Sequence, residues 1–168
     1  RLYTSHQAQR RTPRSGPAAT TTHRTTARQS GLPWTSLRNG FYAHSLHWLA
    51  GPWRETGRIT VPADGPVSWT AREDAGEAAA VIMTADQGFE GPVTLTAESA
   101  PTFAEVAVIA SELTGRDVQV EVIDPDQWVA AQVAAGQPEF VARFLLGMFQ
   151  AADQGFFAGT DPLLGTLL

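Results

Sequence analysis

Cysteine is absent from this 168-residue chain, so disulfides, thiolate zinc centres and cysteine nucleophiles are excluded. Lysine is absent too. All twelve basic residues are arginine, which removes any Schiff-base lysine, phosphate-loop lysine or lysine general base. Charged residues make up only 17% of the chain, which suits a compact α/β or α+β protein better than a coiled coil. No uninterrupted apolar run approaches the roughly 18 residues of a membrane span, and the first residues carry no apolar signal-peptide core. These absences predict a soluble, cytoplasmic protein. No glycine-rich dinucleotide fingerprint and no nucleophile-elbow serine stand anywhere in the sequence.

What is present is an apolar fraction of 43%, enough to bury the core of one domain. Charge is divided unevenly. Residues 1–60 hold nine arginines against Glu55 alone, a net +8; residues 61–168 hold three arginines against sixteen acids, a net −13. A basic segment of this size faces either nucleic acid or the phosphates and acidic surface of its own fold. No aromatic interleaving and no nucleic-acid motif accompany the arginines, which favours the second.

Residues 2–5 read as the end of a strand, residues 18–29 as a helix stopped by Gly31, and residues 34–37 as a buried strand running into the polar turn Arg38-Asn39-Gly40-Phe41. Residues 41–53 are aromatic and read as one helix ended by Gly51-Pro52. Residues 59–61 and 93–96 are strands. Two capping boxes, Thr70 with Glu73 and Thr102 with Glu105, open helices. The first helix turns Ala78, Val81 and Ile82 inward; the second turns Phe103, Val106, Ala110 and Leu113 inward and stops at Gly115. Val118, Val120 and Val122 alternate with polar residues as a half-buried strand, and Asp124-Pro125 starts another helix. The last helix starts at Pro138 with Phe140, Val141, Phe144, Leu145 and Met148 on its apolar face, and the chain closes on an apolar run. Alternating strands and helices predict an α/β fold with a largely parallel sheet.

The chemistry-bearing residues are few. His44 and His47 share a helical spacing, but no acid is placed to complete a metal site. His23 stands alone among arginines and threonines, and His6 follows a strand end. In open α/β sheets ligands collect at the carboxyl ends of the strands. Arg38-Asn39-Gly40 holds such a place: arginine offers a donor fork, asparagine a donor and an acceptor, and glycine a close approach of backbone to ligand. An ordinary turn explains the same Asn-Gly pair.

Residues 2–5 (Leu-Tyr-Thr-Ser), 30–42 (Ser-Gly-Leu-Pro-Trp-Thr-Ser-Leu-Arg-Asn-Gly-Phe-Tyr), 67–74 and 102–105 together resemble, in order and spacing, the NmrA-like family of NAD(P)-binding proteins. These are atypical short-chain dehydrogenases, and the likeness is close to their NAD(P)H:quinone oxidoreductase type 2 branch. The resemblance implies an α/β fold made of the second half of an incomplete Rossmann-like parallel sheet, with a small C-terminal α+β substrate lobe. Residues 1–168 would then be the C-terminal part of an NmrA-like NAD(P)-binding domain that lacks its glycine-rich N-terminal half, and inactive alone. The implied cofactor is NAD(P)H, NADP being favoured over NAD, lined by Thr4, Ser5, His6, Arg38, Asn39, Gly40 and Phe41. Tyr42 and Ser45 are implied substrate contacts, with Ser45 standing where the branch usually has asparagine. After His23 the family's Thr-Glu pair is here Thr26-Ala27. No catalytic residue and no metal are implied. The intact form would pass hydride to a quinone or similar small electrophile; the alternative is a non-catalytic redox sensor acting through a protein partner. The implied partners are thus the electrophile and either a second copy of the chain or the missing half, without membrane or nucleic acid.

Overall fold

The computed structural model describes residues 2–6, 25–86 and 88–168. Along the chain run β1 (Leu2–His6), helix α1 (residues 25–29), β2 (Thr35–Asn39), β3 (Phe41–Tyr42), α2 (Leu46–Leu49), α3 (Trp53–Thr56), β4 (Arg58–Val61) and β5 (Trp69–Thr70). There follow α4 (Arg72–Thr84), β6 (Gly91–Leu95), α5 (Phe103–Thr114), β7 (Gln119–Val122), α6 (Pro125–Ala134), α7 (Glu139–Asp153) and α8 (Leu163–Leu167). His23 and most of the helix expected over residues 18–29 lie outside the described residues.

Strands β1, β2 and β6 form a parallel sheet in that order, with Leu2 opposite Thr35 and Thr35 opposite Gly91. β2 continues through Arg38 and Asn39, where a turn was expected. Flanked on both sides, its backbone groups are all paired by the ladder whatever the side chains are. Leu37, Val93 and Leu95 pack beneath Ala78 and Ile82 of α4 and Leu164 of α8, one apolar layer against a helical one. The closing apolar run is thus α8, a helix that lays Leu164 on the sheet. Val81, expected inside, lies on the rim of α4 and is exposed.

A second core gathers Ile59, Val61, Phe103, Ala107, Trp128, Leu145 and Phe149 around the two-stranded parallel pair β4–β7. Its helices correct several expectations. The residues 41–53 are not one helix: β3 comes first, a 3-10 turn spans Ala43–Ser45, and α2 and α3 are separated at Gly51, whose φ is +63°. Thr70 caps nothing. It lies in β5, its hydroxyl donating to the Ser68 carbonyl and accepting from the Ala97 N–H, while α4 starts behind Ala71 without a side-chain cap. Leu113 of α5 is 82% exposed, because the helix approaches through Phe103, Ala107 and Ala110, whose alanines allow close contact.

Along α7 the expected face is met in part: Leu145 is buried, and Val141 and Met148 pack half-buried against the core. Ala142, Leu145, Phe149 and Ala152 are buried, and Phe140 and Phe144 are 76% and 66% exposed. The buried stripe carries small residues where neighbouring backbone presses: a Cβ on Gly65 would overlap the backbone at Ala152. Along β7 the expected inward face fades toward the end: Val118, just before the strand, is buried with its N–H donating to Ser111 Oγ at 2.9 Å, Val120 packs half-buried on the core, and Val122, the last strand residue, is exposed.

Thr102 meets its expectation in full. Its hydroxyl accepts from the Glu105 N–H, and Glu105 returns a carboxylate to the Thr102 N–H at 2.8 Å. Asp64 then reaches across from the segment before β5, accepting from the Phe103 and Ala104 N–H groups at 2.5 and 3.2 Å. Gly115 ends α5 with φ +65°.

Candidate functional site

All three strands of the parallel sheet end on one side. Thr4 lies opposite Leu37, Ser5 opposite Arg38 and His6 opposite Asn39, while Arg38 and Asn39 face Thr94 and Leu95 on the other side. Ser5, His6, Arg38, Asn39 and Gly40 therefore stand at one carboxyl rim, where the resemblance places them, while Thr4 lies mid-strand opposite the core residue Leu37. Phe41 leaves it, since the chain turns at Gly40, whose N–H donates to the Leu95 carbonyl at 2.8 Å, and enters β3.

Asn39 is buried at this rim. Its Nδ2 donates to Tyr42 Oη at 3.3 Å, whereas its Oδ1 is buried with no partner. Thr96, just past β6, likewise buries a hydroxyl with no partner. Buried polar atoms are nearly always satisfied, and Asn39 and Thr96 stand side by side at the ends of β2 and β6 without a partner for these atoms. Tyr42 stands under the Arg72 guanidinium, 4.7 Å above its ring, and 5.6 Å from the His44 ring. Gly40 has a nearer reason to be glycine than a ligand. A Cβ there would run into Thr70 Oγ1 and the Ser68 carbonyl, so β5 itself fills the space.

One residue beyond Gly40, Phe41 borders a small, tightly packed cavity of about 20 Å³. Five aromatic rings wall it: Phe41, Trp69, Phe103, Phe149 and Phe157. Leu49, Val67, Met148 and Ala152 complete the lining. The rings interlock, Phe41 standing perpendicular to Trp69 at 5.4 Å and tilted against Phe157 at 5.0 Å. The pairing of Phe41 with Trp69 across β3–β5 and the Ser68 N–H donating to the Phe157 carbonyl at 2.9 Å hold three of these rings in place. No titratable side chain lines the cavity. Tyr42 and Ser45, the implied substrate contacts, do not line it either. Sequence reasoning passed over every lining residue except Phe41 as a ligand contact, because they come from separate stretches without a common spacing. A wider cleft of about 350 Å³ lies away from the rim, between Trp48, Arg58, Trp128 and Gln137, and shares only Leu49 with this cavity.

Among the described residues no three histidines or acids gather as a metal site, and no helix is long and apolar enough to cross a membrane.

No protein-family model matches the chain. It is 28% identical over 145 residues to an NmrA-like family domain-containing oxidoreductase of Aspergillus flavus, covering 84% of this chain and 47% of the relative. It is 30% identical over 141 residues to quinone oxidoreductase 2 of Escherichia coli K12, covering 83% and 49%. Among solved structures, the Citrobacter sp. triphenylmethane reductase complexed with NADP(H) superposes with a TM-score of 0.72 at 29% identity, covering 85% of this chain and 51% of the other. The chain spans about half the length of the proteins it matches.

Proposed function

Taking as premise that the chain is a homologue of the NmrA-like oxidoreductases and of quinone oxidoreductase 2, we propose that it is the nicotinamide and substrate side of an NAD(P)H-dependent reductase acting on quinones or similar flat electrophiles. The observation that carries this reading is the contiguity of two unlike sites. A polar rim with unpartnered buried acceptors ends at Gly40, and a small aromatic cavity begins at Phe41. Hydride transfer wants such an arrangement, since the cofactor carries the reactive atom and the protein binds, orients and excludes water.

The residues at the rim fit the nicotinamide end of a dinucleotide. Asn39 Oδ1 would accept from a carboxamide or ribose hydroxyl, and the Thr96 hydroxyl would meet a second polar group. Ser5, His6 and Arg38 are the neighbours on the same rim. The pyrophosphate has no comparable cradle, because the sequence holds no glycine-rich turn. Residues 1–168 are on this reading the C-terminal part of the dinucleotide-binding domain, substrate lobe included. Bound NAD(P)H would supply a hydride, so that quinone, NAD(P)H and a proton give hydroquinone and NAD(P)⁺. The missing acid in the cavity is consistent with a proton taken from solvent.

The test joins this chain to the amino-terminal half of a full-length relative and follows NADPH binding and its oxidation by 2-methyl-1,4-naphthoquinone. Turnover is expected, and Asn39→Ala should weaken NADPH binding by about 1–3 kcal/mol, the cost of a buried polar group left unmatched. Unchanged affinity in that variant would remove the rim from the cofactor site. A second reading, a dinucleotide sensor acting through a protein partner, is favoured by the exposed Phe140 and Phe144 on α7. NADPH binding without quinone reduction would select it.

A further inference from the structure

The cleft beside α2, away from the strand-end rim, has room for a small molecule. Its volume of about 350 Å³ falls within the roughly 300–1,000 Å³ usual for ligand sites. The aromatic cavity, at about 20 Å³, has room for little more than a water. The walls of the cleft come from three parts of the chain. Arg58 and Thr60 form one, because β4 alternates: Ile59 and Val61 turn into the core and leave Arg58 and Thr60 on the other face. Gln132 and Gln137 form the second, held together between α6 and α7 by the Gln137 N–H, which donates to the Gln132 carbonyl at 3.0 Å. Trp48 of α2 forms the third, with half of its surface exposed. Trp128 lines the cleft as well, but its N–H is already donated to the Thr60 carbonyl at 3.2 Å, so it adds only apolar ring surface.

Charge sets this lining apart. In a chain of net charge −5, no acid lines the cleft and Arg58 is its one charged residue. Arg58 is only loosely paired. Its Nη1 stands 3.6 Å from Glu121 Oε2, beyond hydrogen-bond reach, and both side chains are at least half exposed. Exposed pairs of this kind contribute little, so the guanidinium fork keeps its donors for a carboxylate that can take two of them at once. The carboxamides of Gln132 and Gln137 each offer a donor and an acceptor, and Gln137 Oε1 is buried without a donor of its own. The rest of the surface is hydrocarbon and indole, with Leu145 beside the two tryptophans.

We propose that this cleft is a second small-molecule site, for an aromatic monocarboxylate of one or two rings. Arg58 takes the carboxylate, Trp48 stacks on the ring, and Gln132 and Gln137 meet a ring hydroxyl. A bare phosphate would find a single cation here, and a sugar would leave the apolar wall uncovered. None of the rim residues Ser5, His6, Arg38 and Asn39 lines the cleft, so the site stands independently of the rim's reading as a cofactor site.

Calorimetric titration of the 168-residue chain with 1-hydroxy-2-naphthoate and with 1-naphthol, which lacks the carboxylate, tests the assignment. The naphthoate should bind more tightly by roughly tenfold or more. Arg58→Gln should erase that preference and leave the affinity for 1-naphthol unchanged. Arg54→Gln removes the same charge outside the lining and should keep the preference, which separates a built site from a general attraction of anions. Should Arg58→Gln fail to fold, the wild-type chain still decides. With its tryptophans labelled with ¹⁵N, the indole resonance of Trp48 should move to saturation as the naphthoate is added, and that of Trp69, in the other cavity, should stay in place. Equal affinities for the two ligands, a preference that survives Arg58→Gln or falls as far with Arg54→Gln, binding that leaves Trp48 unmoved, or no binding at millimolar naphthoate would each overturn the proposal.

Discussion

Gly40 is glycine because of Thr70. The Asn39-Gly40 pair invites a ligand-based reading from sequence, since glycine lets backbone pass close to a bound molecule. In the structure the close neighbour is the chain's own β5, with Thr70 Oγ1 and the Ser68 carbonyl in the space a methyl group would take. Overpacking of a buried site costs about 1–3 kcal/mol. Gly40→Ala should accordingly lower the midpoint of thermal unfolding, followed by circular dichroism, with no cofactor present. A loss of NADPH affinity in that variant would then report the fold and not the approach of a ligand, which is why Asn39 is the cleaner probe of the rim. The polar character of Arg38-Asn39-Gly40 was legible in the sequence. Its partner two strands away in the chain was not, because nothing local in residues 38–40 encodes Thr70.

At the scale of elements, two motifs of the same form had opposite fates. Thr102 and Glu105 close a reciprocal capping box, and Thr70 and Glu73 do not, because Thr70 is claimed by β5 and by the Ala97 N–H. A capping signature states a preference that strand pairing can override. Helix faces tell the same story. The large residues of α7 suggested a face through Phe140, Val141, Phe144, Leu145 and Met148; Val141, Leu145 and Met148 pack on the core with Ala142, Phe149 and Ala152, and Phe140 and Phe144 are exposed. Period alone fixes that some face is buried, and the neighbours decide which. Phe149→Ala should therefore cost about 3–5 kcal/mol of stability, whereas Phe144→Ser should stay within about 0.5 kcal/mol. Urea unfolding of the two variants would test both values; a large loss for Phe144→Ser would mean that its face is covered.

For the whole molecule, the parallel α/β character and the meeting of β1 and β2 at a common rim were readable from strand composition, order and the resemblance they carried. The aromatic cavity was not. Phe41, Trp69, Phe103 and Phe157 stand on four separate stretches, and only the parallel pairing of β3 with β5 and the packing of α5 and α7 bring their rings together. Each is an ordinary core residue in its own sequence context. The site emerges because the first core ends where the second begins, and β2 runs into β3 across a single glycine.

Asp64 gives this assembly a further property. A helix start ordinarily leaves its first amides to the solvent, but Phe103 and Ala104 donate instead to a carboxylate 39 and 40 residues earlier in the chain. The first turn of α5 is thus complete only when the segment around residue 64 has arrived, and that segment is seated against α7 through Gly65. Fraying of α5 from its amino end, the usual low-energy opening, would have to break this tie. In native-state hydrogen exchange the Phe103 and Ala104 amides should resist deuterium as long as the core amides do. Asp64→Ala should release them by local opening while those of Ala107 and Ala110 stay slow. Two parts of the sequence far apart in the chain would then unfold as one cooperative unit, linked by a single carboxylate.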